Sequence, residues 1–241
     1  FSENINPEDW QKLAREITKH LNDDIKGILI THGTDTLHYT SAALSFMIQN
    51  PRIPIILVGS QRSPDRGSSD SYLNIICAIK FAIKSNFKGI GVCMHASTND
   101  DFCYILPGTK VRKMHTSRRD AFRSVNASPY AKIDREGIIE YLSDYPREGK
   151  TIIKTNLNKK TALIKVYPGF SVNVLNGLKS YKGLVIEGTG LGHVNNNLFS
   201  KLKTLSKSMV IVIASQCIFG RTNLNVYSTG RDLQNFGIIG V

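Results

Sequence analysis

The stretch Gly27-Ile28-Leu29-Ile30-Thr31-His32-Gly33-Thr34-Asp35-Thr36 decides the fold. Residues 27–30 read as a short apolar strand that stops at two hydroxyls, a glycine and a carboxylate, and a helical pattern runs on from about 36 to 49. The same order then repeats. A second apolar strand, 53–58, ends in Gly59-Ser60-Gln61-Arg62, a helix spans 70–84, and a third strand covers 89–94. Strand alternating with helix, with strands that are continuously apolar, predicts a parallel sheet covered on both faces.

Upstream, Asn6-Pro7-Glu8-Asp9 is a helix start: Asn caps, Pro suits the first turn and the acids complement the helix dipole. Trp10, Leu13, Ala14, Ile17 and Leu21 follow with helical spacing on one face. Downstream, from 101 to about 141, the pattern loosens, and 131–134 with 137–142 reads as a hairpin around Arg135-Glu136. Residues 143–158 are polar and contain Pro146 and Gly149, which suits a linker. Beyond it come strand 162–166, helix 172–178, strand 183–186, helix 195–205 and strand 209–214. The expected class is α/β with two domains. Residues 1–150 form the larger, built on a mostly parallel sheet with helices on both faces, and residues 151–241 the smaller. There is no internal repeat and no low-complexity tract.

Composition narrows the function classes. The chain has 241 residues, 41% hydrophobic and 21% charged, as an ordinary globular chain does. No apolar run approaches the roughly 20 residues that span a bilayer, and no secretory signal is present. Because it opens on Phe1 rather than Met and ends in an apolar run, 236–241, it is expected to be a fragment cut inside structure at both ends. Four cysteines in a chain of this length do not make a disulfide framework. Cys77 and Cys217 sit in apolar or strand-like surroundings and are expected to be buried. Cys93-Met94-His95 and Cys103 lack the second closely spaced pair of a zinc site. A cytoplasmic location follows. The net charge of +12 is the unusual property, with Glu187 the only acid between Lys150 and Lys207. A second cluster runs through Lys110, Arg112, Lys113, Arg118, Arg119 and Arg123. Such a surface attracts phosphates, but a chain rich in Ile and Asn carries lysine by compositional bias as well.

Ligands in open α/β sheets bind beyond the carboxyl ends of strands, and three polar clusters lie there. Taken alone, Thr34 or Asp35 reads as a cap for the next helix, and 59–70 as a surface loop with Ser69 or Asp70 as cap. Glu187-Gly188-Thr189-Gly190-Leu191-Gly192-His193 has strictly alternating glycines, so it matches neither the dinucleotide fingerprint nor the phosphate loop. It reads as a tight turn from strand to helix.

Together these clusters resemble the asparaginase/glutaminase family. Thr31–Thr36 reads T-H-G-T-D-T, like the family's second motif, and Gly59-Ser60-Gln61-Arg62 falls where the next substrate loop lies. Residues 112–122 are similar to the catalytic-lysine region. Their wording, with E-G-T-G-L-G-H and Phe219-Gly220-Arg221-Thr222-Asn223, is most similar to the D subunits of archaeal glutamyl-tRNA(Gln) amidotransferases. The resemblance runs along essentially the whole chain in order. It implies that Thr34, Asp35 and Lys113 form the hydroxyl–acid–amine catalytic group. Ser2 and Glu3 would grip the substrate's α-carboxylate and α-amino groups, Thr34 and Asp35 would also contact the substrate, Asp35 at its amino group, and Ser60 would line the pocket. Glu3 stands where many asparaginases carry Gln. The family's nucleophile, on a Gly-Gly-Thr turn of the first strand, is expected several dozen residues before Ser2 and is absent from this chain.

Those residue types suit amide hydrolysis. A threonine hydroxyl is a weak acid and needs a base beside it. A lysine serves only when burial or a nearby positive charge lowers its pKa, and Arg112 and Arg118 are candidates for that charge. Without the flanking motif, Lys113 would read as a solvated lysine in a basic loop. The resemblance implies a glutaminase-type hydrolase that supplies ammonia for converting Glu-tRNA(Gln) to Gln-tRNA(Gln). It would have no cofactor of its own and would be a homodimer. Its partner would be a second, kinase/transamidase subunit that binds the tRNA and uses ATP and magnesium. A free-standing cytoplasmic L-asparaginase and a non-catalytic binding module on the same fold are the alternatives.

Overall fold

In the computed structural model, which describes residues 1–22 and 24–241, the first helix, α1 (Pro7–His20), begins where its sequence dictates. The Asn6 side chain accepts from the backbone N–H of Glu8 at 3.0 Å and of Asp9 at 3.3 Å. Asp9 accepts in turn from the Asn6 N–H at 3.1 Å. This reciprocal pair satisfies donors that the first helical turn leaves orphaned.

The chain divides into two units, Phe1–Leu157 and Asn158–Val241. After α1 the first continues through β1 (Ile28–Thr31), α2 (Leu37–Met47), β2 (Ile48–Gln49), β3 (Ile55–Val58), α3 (Ser71–Lys84), β4 (Ile90–His95) and β5 (Phe102–Pro107). It then adds β6 (Val111–Lys113), β7 (Phe122–Ser124), β8 (Ala131–Asp134), β9 (Ile139–Tyr141) and β10 (Ile152–Ile153). Its main sheet has the order β1-β3-β4-β5-β8-β9. The expected parallel pairing holds for β1, β3 and β4, but β5, β8 and β9 join antiparallel. The reason is local. No α-helix lies between β4 and β9 to make the crossover that a parallel strand requires. The hairpin expected around Arg135-Glu136 is there, closed by Gly137 at φ +82°.

All four residues of β3 are buried, and they alternate between two cores. Ile55 and Leu57 pack with Ala14, Leu37, Leu44 and Val92 under α1 and α2. Ile56 and Val58 pack with Cys77, Phe81, Cys93 and Ile105 under α3. Residues 151–157, expected in the second domain, belong to the first unit because Ile152 and Ile153 pair antiparallel with Gln49 and Ile48.

The second unit holds β11 (Thr161–Lys165), β12 (Gly183–Gly188), α4 (Phe199–Leu205), β13 (Val210–Ser215), α5 (Ser228–Asn235) and β14 (Ile239–Gly240). Its four strands are parallel in sequential order. Residues expected to be helical at 172–178 form a 3-10 helix. All four cysteines are free thiols. Cys77, Cys93 and Cys103 are buried, whereas Cys217 is exposed, against expectation, because it lies just past the end of β13.

Candidate active site

β1 and β3 run parallel and end side by side, with Thr31 opposite Val58. Two glycines let polar chain close in around these ends. A Cβ on Gly59 would fall 2.7 Å from the His32 carbonyl oxygen and 3.1 Å from Thr34 Cγ2. A Cβ on Gly33 would lie 2.8 Å from both Cβ and Oγ of Ser2. Neither approach tolerates a side chain. Thr36 Oγ1 then donates to the Ser2 carbonyl at 2.7 Å, tying residues 2–4, a single 3-10 turn, to the strand end. Ser2 and Glu3 thereby line a cavity of about 520 Å³ together with Thr34 and Asp35.

Lys113 arrives from far along the chain. It ends β6, which β7 holds as an antiparallel pair with Lys113 opposite Phe122, and the Met114 N–H donates to the Ala121 carbonyl at 2.7 Å. From there Nζ donates to Thr34 Oγ1 at 3.0 Å and to Asp35 Oδ1 at 2.7 Å. The lysine side chain is 11% exposed and the aspartate 65%. The hydrogen bond from Lys113, and then its charge, hold the Asp35 carboxyl below the usual carboxylate value. The Thr34 hydroxyl itself donates to Gln61 Oε1 at 3.2 Å. One hydroxyl, one carboxylate and one amine therefore meet at the strand end.

Arg118 is engaged in an ion pair of its own. It forms a two-pronged pair with buried Asp120, at 2.9 and 2.8 Å, and Asp120 also accepts from Arg123. Arg112 acts instead near His38. Burial first, then the charges of Arg112 and Lys113, pull that imidazole down to about 4.

Ser60 stands apart from the converging group. Its hydroxyl hydrogen-bonds within its own loop, to the Arg62 carbonyl and to Asp70 Oδ1, the latter at 3.0 Å. It lines a neighbouring cavity of about 450 Å³ with Thr31, His32 and Gly33. Asp70, expected as a helix cap, makes no side-chain cap bond. Fully buried, it accepts from the backbone N–H of Gln61 at 3.0 Å and of Arg62 at 2.9 Å, and from Asn74 at 3.0 Å. It clamps the loop that presents Gln61. Neither Thr34 nor Asp35 caps α2: Thr36 occupies that position, and it too makes no side-chain cap bond.

Sequence reasoning missed three contributors. Gln61 was legible only as part of a loop, because its bond to Thr34 depends on Gly59. Asp70 was hidden by its position at the start of a helix. His32 was read only as one letter of a motif, yet burial pulls its pKa below the ordinary value, against an opposing pull from the Gly33 carbonyl.

The glycine-rich segment of the second unit forms a closed turn. Thr189 and His193 exchange two backbone hydrogen bonds, both 2.8 Å, with Gly190 at φ +52° and Gly192 at φ +104°. Among the described residues no group of three His, Cys, Asp or Glu side chains is placed to hold a metal ion. No helix among them is long and apolar enough to cross a membrane.

An α/β unit with a hydroxyl, a carboxylate and a lysine at a parallel strand end belongs to a recognisable class. The family profile for the N-terminal asparaginase domain matches residues 1–146, and that for the glutaminase/asparaginase C-terminal domain matches residues 160–241. The chain belongs to the asparaginase family. Within it, the chain is 50% identical to the D subunit of the glutamyl-tRNA(Gln) amidotransferase of Pyrococcus furiosus and 49% identical to that of Thermococcus kodakarensis. Each match covers 99% of this chain and 56% of the relative, so the chain spans about half the length of these relatives. Among solved structures, the thermostable L-asparaginase from Thermococcus kodakarensis superposes with a TM-score of 0.90 at 33% identity. That match covers 99% of this chain and 71% of the other. L-asparaginase I from Vibrio cholerae gives 0.85 at 27% identity, with the same coverage.

Proposed function

We propose that this chain is the ammonia-releasing part of a tRNA-dependent amidotransferase. It would hydrolyse the side-chain amide of glutamine or asparagine so that the ammonia converts Glu-tRNA(Gln) to Gln-tRNA(Gln). The observation that carries this reading is Lys113 Nζ within hydrogen-bond distance of both Thr34 Oγ1 and Asp35 Oδ1. The similarity to the D subunits of the amidotransferases supports the acceptor.

In the chemistry we assign, a hydroxyl attacks the amide carbonyl and loses its proton through Thr34 and the amine of Lys113. Lys113 must first give up a proton itself, and Asp35 keeps the amine in place as it does so. Backbone N–H groups at the strand ends stabilise the oxyanion. The C–N bond then breaks, the stored proton leaves on ammonia, and water hydrolyses the acyl-enzyme. Residues 1–241 contain no Gly-Gly-Thr turn, so we place the attacking hydroxyl outside them. Ser2 and Glu3, on the cavity wall beside Asp35, would hold the substrate's α-carboxylate and α-amino groups, with Ser60 contributing from the adjoining loop. This protein would need no cofactor and would pair with itself. A second subunit in the same cytoplasmic complex would supply ATP, magnesium and the tRNA site.

The likeness to L-asparaginase structures favours a second reading, a free-standing asparaginase. Measuring ammonia release by the full-length protein separates the two. The amidotransferase reading expects weak release alone and a rise with the partner subunit and Glu-tRNA, whereas robust asparagine hydrolysis in isolation would favour the asparaginase. Asp35→Asn should lose nearly all hydrolysis while staying folded. A folded Asp35→Asn protein that keeps most of the wild-type rate would reject the assigned role.

A further inference from the structure

A second chain of hydrogen bonds approaches the same turn from behind. Trp10 Nε1 on α1 lies 2.9 Å from Thr40 Oγ1 on α2. Thr40 Oγ1 lies 2.8 Å from His32 Nε2, and His32 Nδ1 lies 2.6 Å from the Gly33 carbonyl oxygen. The proton positions follow from the two ends. An indole N–H can only donate, so Thr40 accepts from Trp10. A carbonyl can only accept, so His32 carries a proton on Nδ1. In the neutral ring Nε2 is then an acceptor, and the Thr40 hydroxyl donates to it. Every group in the chain is used once, in one direction. Thr40 is fully buried, and burial keeps the His32 pKa below the ordinary imidazole value. A second ring proton on Nε2 would remove the acceptor to which the Thr40 hydroxyl donates.

The chain ends on the peptide group that joins Gly33 to Thr34. That group is planar, so a fixed Gly33 carbonyl fixes the plane from which Thr34 and Asp35 depart. We propose that His32 is a positioning residue. As a neutral ring protonated on Nδ1 and oriented by Trp10 and Thr40, it pins the Gly33 carbonyl and so holds Thr34 and Asp35 in register with Lys113. The inference rests on the amidohydrolase reading above for its kinetic consequence, but not for the state of the ring.

Two substitutions separate this role from general support of the fold. His32→Asn puts an amide N–H close to the Nδ1 position and keeps the bond to the Gly33 carbonyl. His32→Gln reaches only toward the Nε2 position and loses it. The full-length protein and both variants are compared by thermal melting, steady-state ammonia release and nitrogen-15 spectra of the histidine side chains. Misplacing a reacting group by about 1 Å costs on the order of 10²-fold, so kcat in His32→Gln is expected to fall roughly tenfold to hundredfold. His32→Asn should stay within about threefold of wild type, and the loss in His32→Gln should appear more in kcat than in KM. The wild-type spectrum should show His32 as a neutral ring with its proton on Nδ1. Equal kinetic loss in both variants at matched melting temperatures, unchanged kcat in His32→Gln, or a proton found on Nε2 would overturn the proposal. If the wild-type protein released no ammonia at all, the amidohydrolase reading would fail, and the ring spectrum would still decide the state of His32.

Discussion

Two turns in this molecule occupy the same kind of place and are used in opposite ways. Residues 31–36 follow β1 in the first unit, and residues 187–193 close β12 in the second. Both terminate a parallel strand; residues 31–36 carry three threonines and one glycine, residues 187–193 three glycines and one threonine. In the first turn the side chains reach across the sequence: Thr34 meets Lys113 and Gln61, Asp35 meets Lys113, and Thr36 meets Ser2. The second is also met by later chain, but by groups that only tie it down: Ser215 Oγ donates to the Gly190 carbonyl at 2.5 Å, the Asn223 N–H donates to the Leu191 carbonyl at 2.9 Å, and Thr229 Oγ1 lies 3.3 Å from His193 Nδ1. Thr189 and His193 bond each other through the backbone, and Thr189 Oγ1 donates to the His193 carbonyl at 3.2 Å. The difference teaches that convergence alone does not make a chemical site: at the first strand end it brings a lysine amine onto a hydroxyl and a carboxylate, and at the second it does not. Glycine helps by allowing that approach, at Gly33 and Gly59. At Gly190 and Gly192 it lets the chain turn back on itself at positive φ, and Gly192 also admits Thr222, whose Cγ2 would lie 2.7 Å from a Cβ there.

The largest expected effect breaks the first turn's outside contact. Lys113→Met keeps most of the stem's packing and removes the amine. Amide hydrolysis by the full-length protein should then fall by about 10²–10⁴-fold, the usual worth of a positioned base. Ammonia release under saturating substrate checks it, and an unchanged rate would sink the assignment.

A smaller effect, on stability rather than chemistry, is expected where the second turn closes. A Cβ on Gly188 would lie 2.7 Å from the Gly192 carbonyl carbon, with no flexible side chain to yield. Gly188→Ala should therefore cost about 1–3 kcal/mol, as overpacking does. Denaturant unfolding would measure this, and an unaltered midpoint would show that the turn is not closed as described.

The last effect concerns pH and is absent at neutral pH. His38, on α2 beside the Lys113 hairpin, has its pKa lowered to about 4 from the ordinary 6.5. Between those values the folded protein holds fewer protons than the unfolded one. His38 therefore leaves stability undiminished above about pH 6.5 and lowers it as pH falls toward 4. His38→Gln should flatten that part of the stability profile. A profile of unchanged slope would mean that the imidazole is solvated.

Much of the architecture could be read from local sequence. Asn6 and Asp9 cap α1 as their spacing implies, and the apolar runs that read as strands, 53–58 and 89–94, contain the buried strands β3 (Ile55–Val58) and, but for its last residue, β4 (Ile90–His95). What escaped depends on long-range pairing. The β8–β9 hairpin is expected from sequence, but the antiparallel pairing of β5 with β4 and β8 is not, and β10 is only two residues long, too short for any periodicity, so residues 151–157 read as part of the second domain. The candidate site follows the same rule. Thr34, Asp35 and Lys113 are carried by motif resemblance, and the structure places them in contact. That Asp70 clamps a loop, that Asp120 pairs with Arg118 and that Gln61 accepts from the Thr34 hydroxyl are facts of three-dimensional approach.

The central claim is that Thr34 and Lys113 act as one unit, and a double-mutant cycle tests it most directly. Ammonia release would be measured for the full-length protein, Thr34→Val, Lys113→Met and the double variant, each shown to be folded. Groups that act together are strongly non-additive, so the double variant should be no slower than about threefold below the worse single variant. Losses that simply multiply would contradict the account, because the hydroxyl and the amine would then contribute independently.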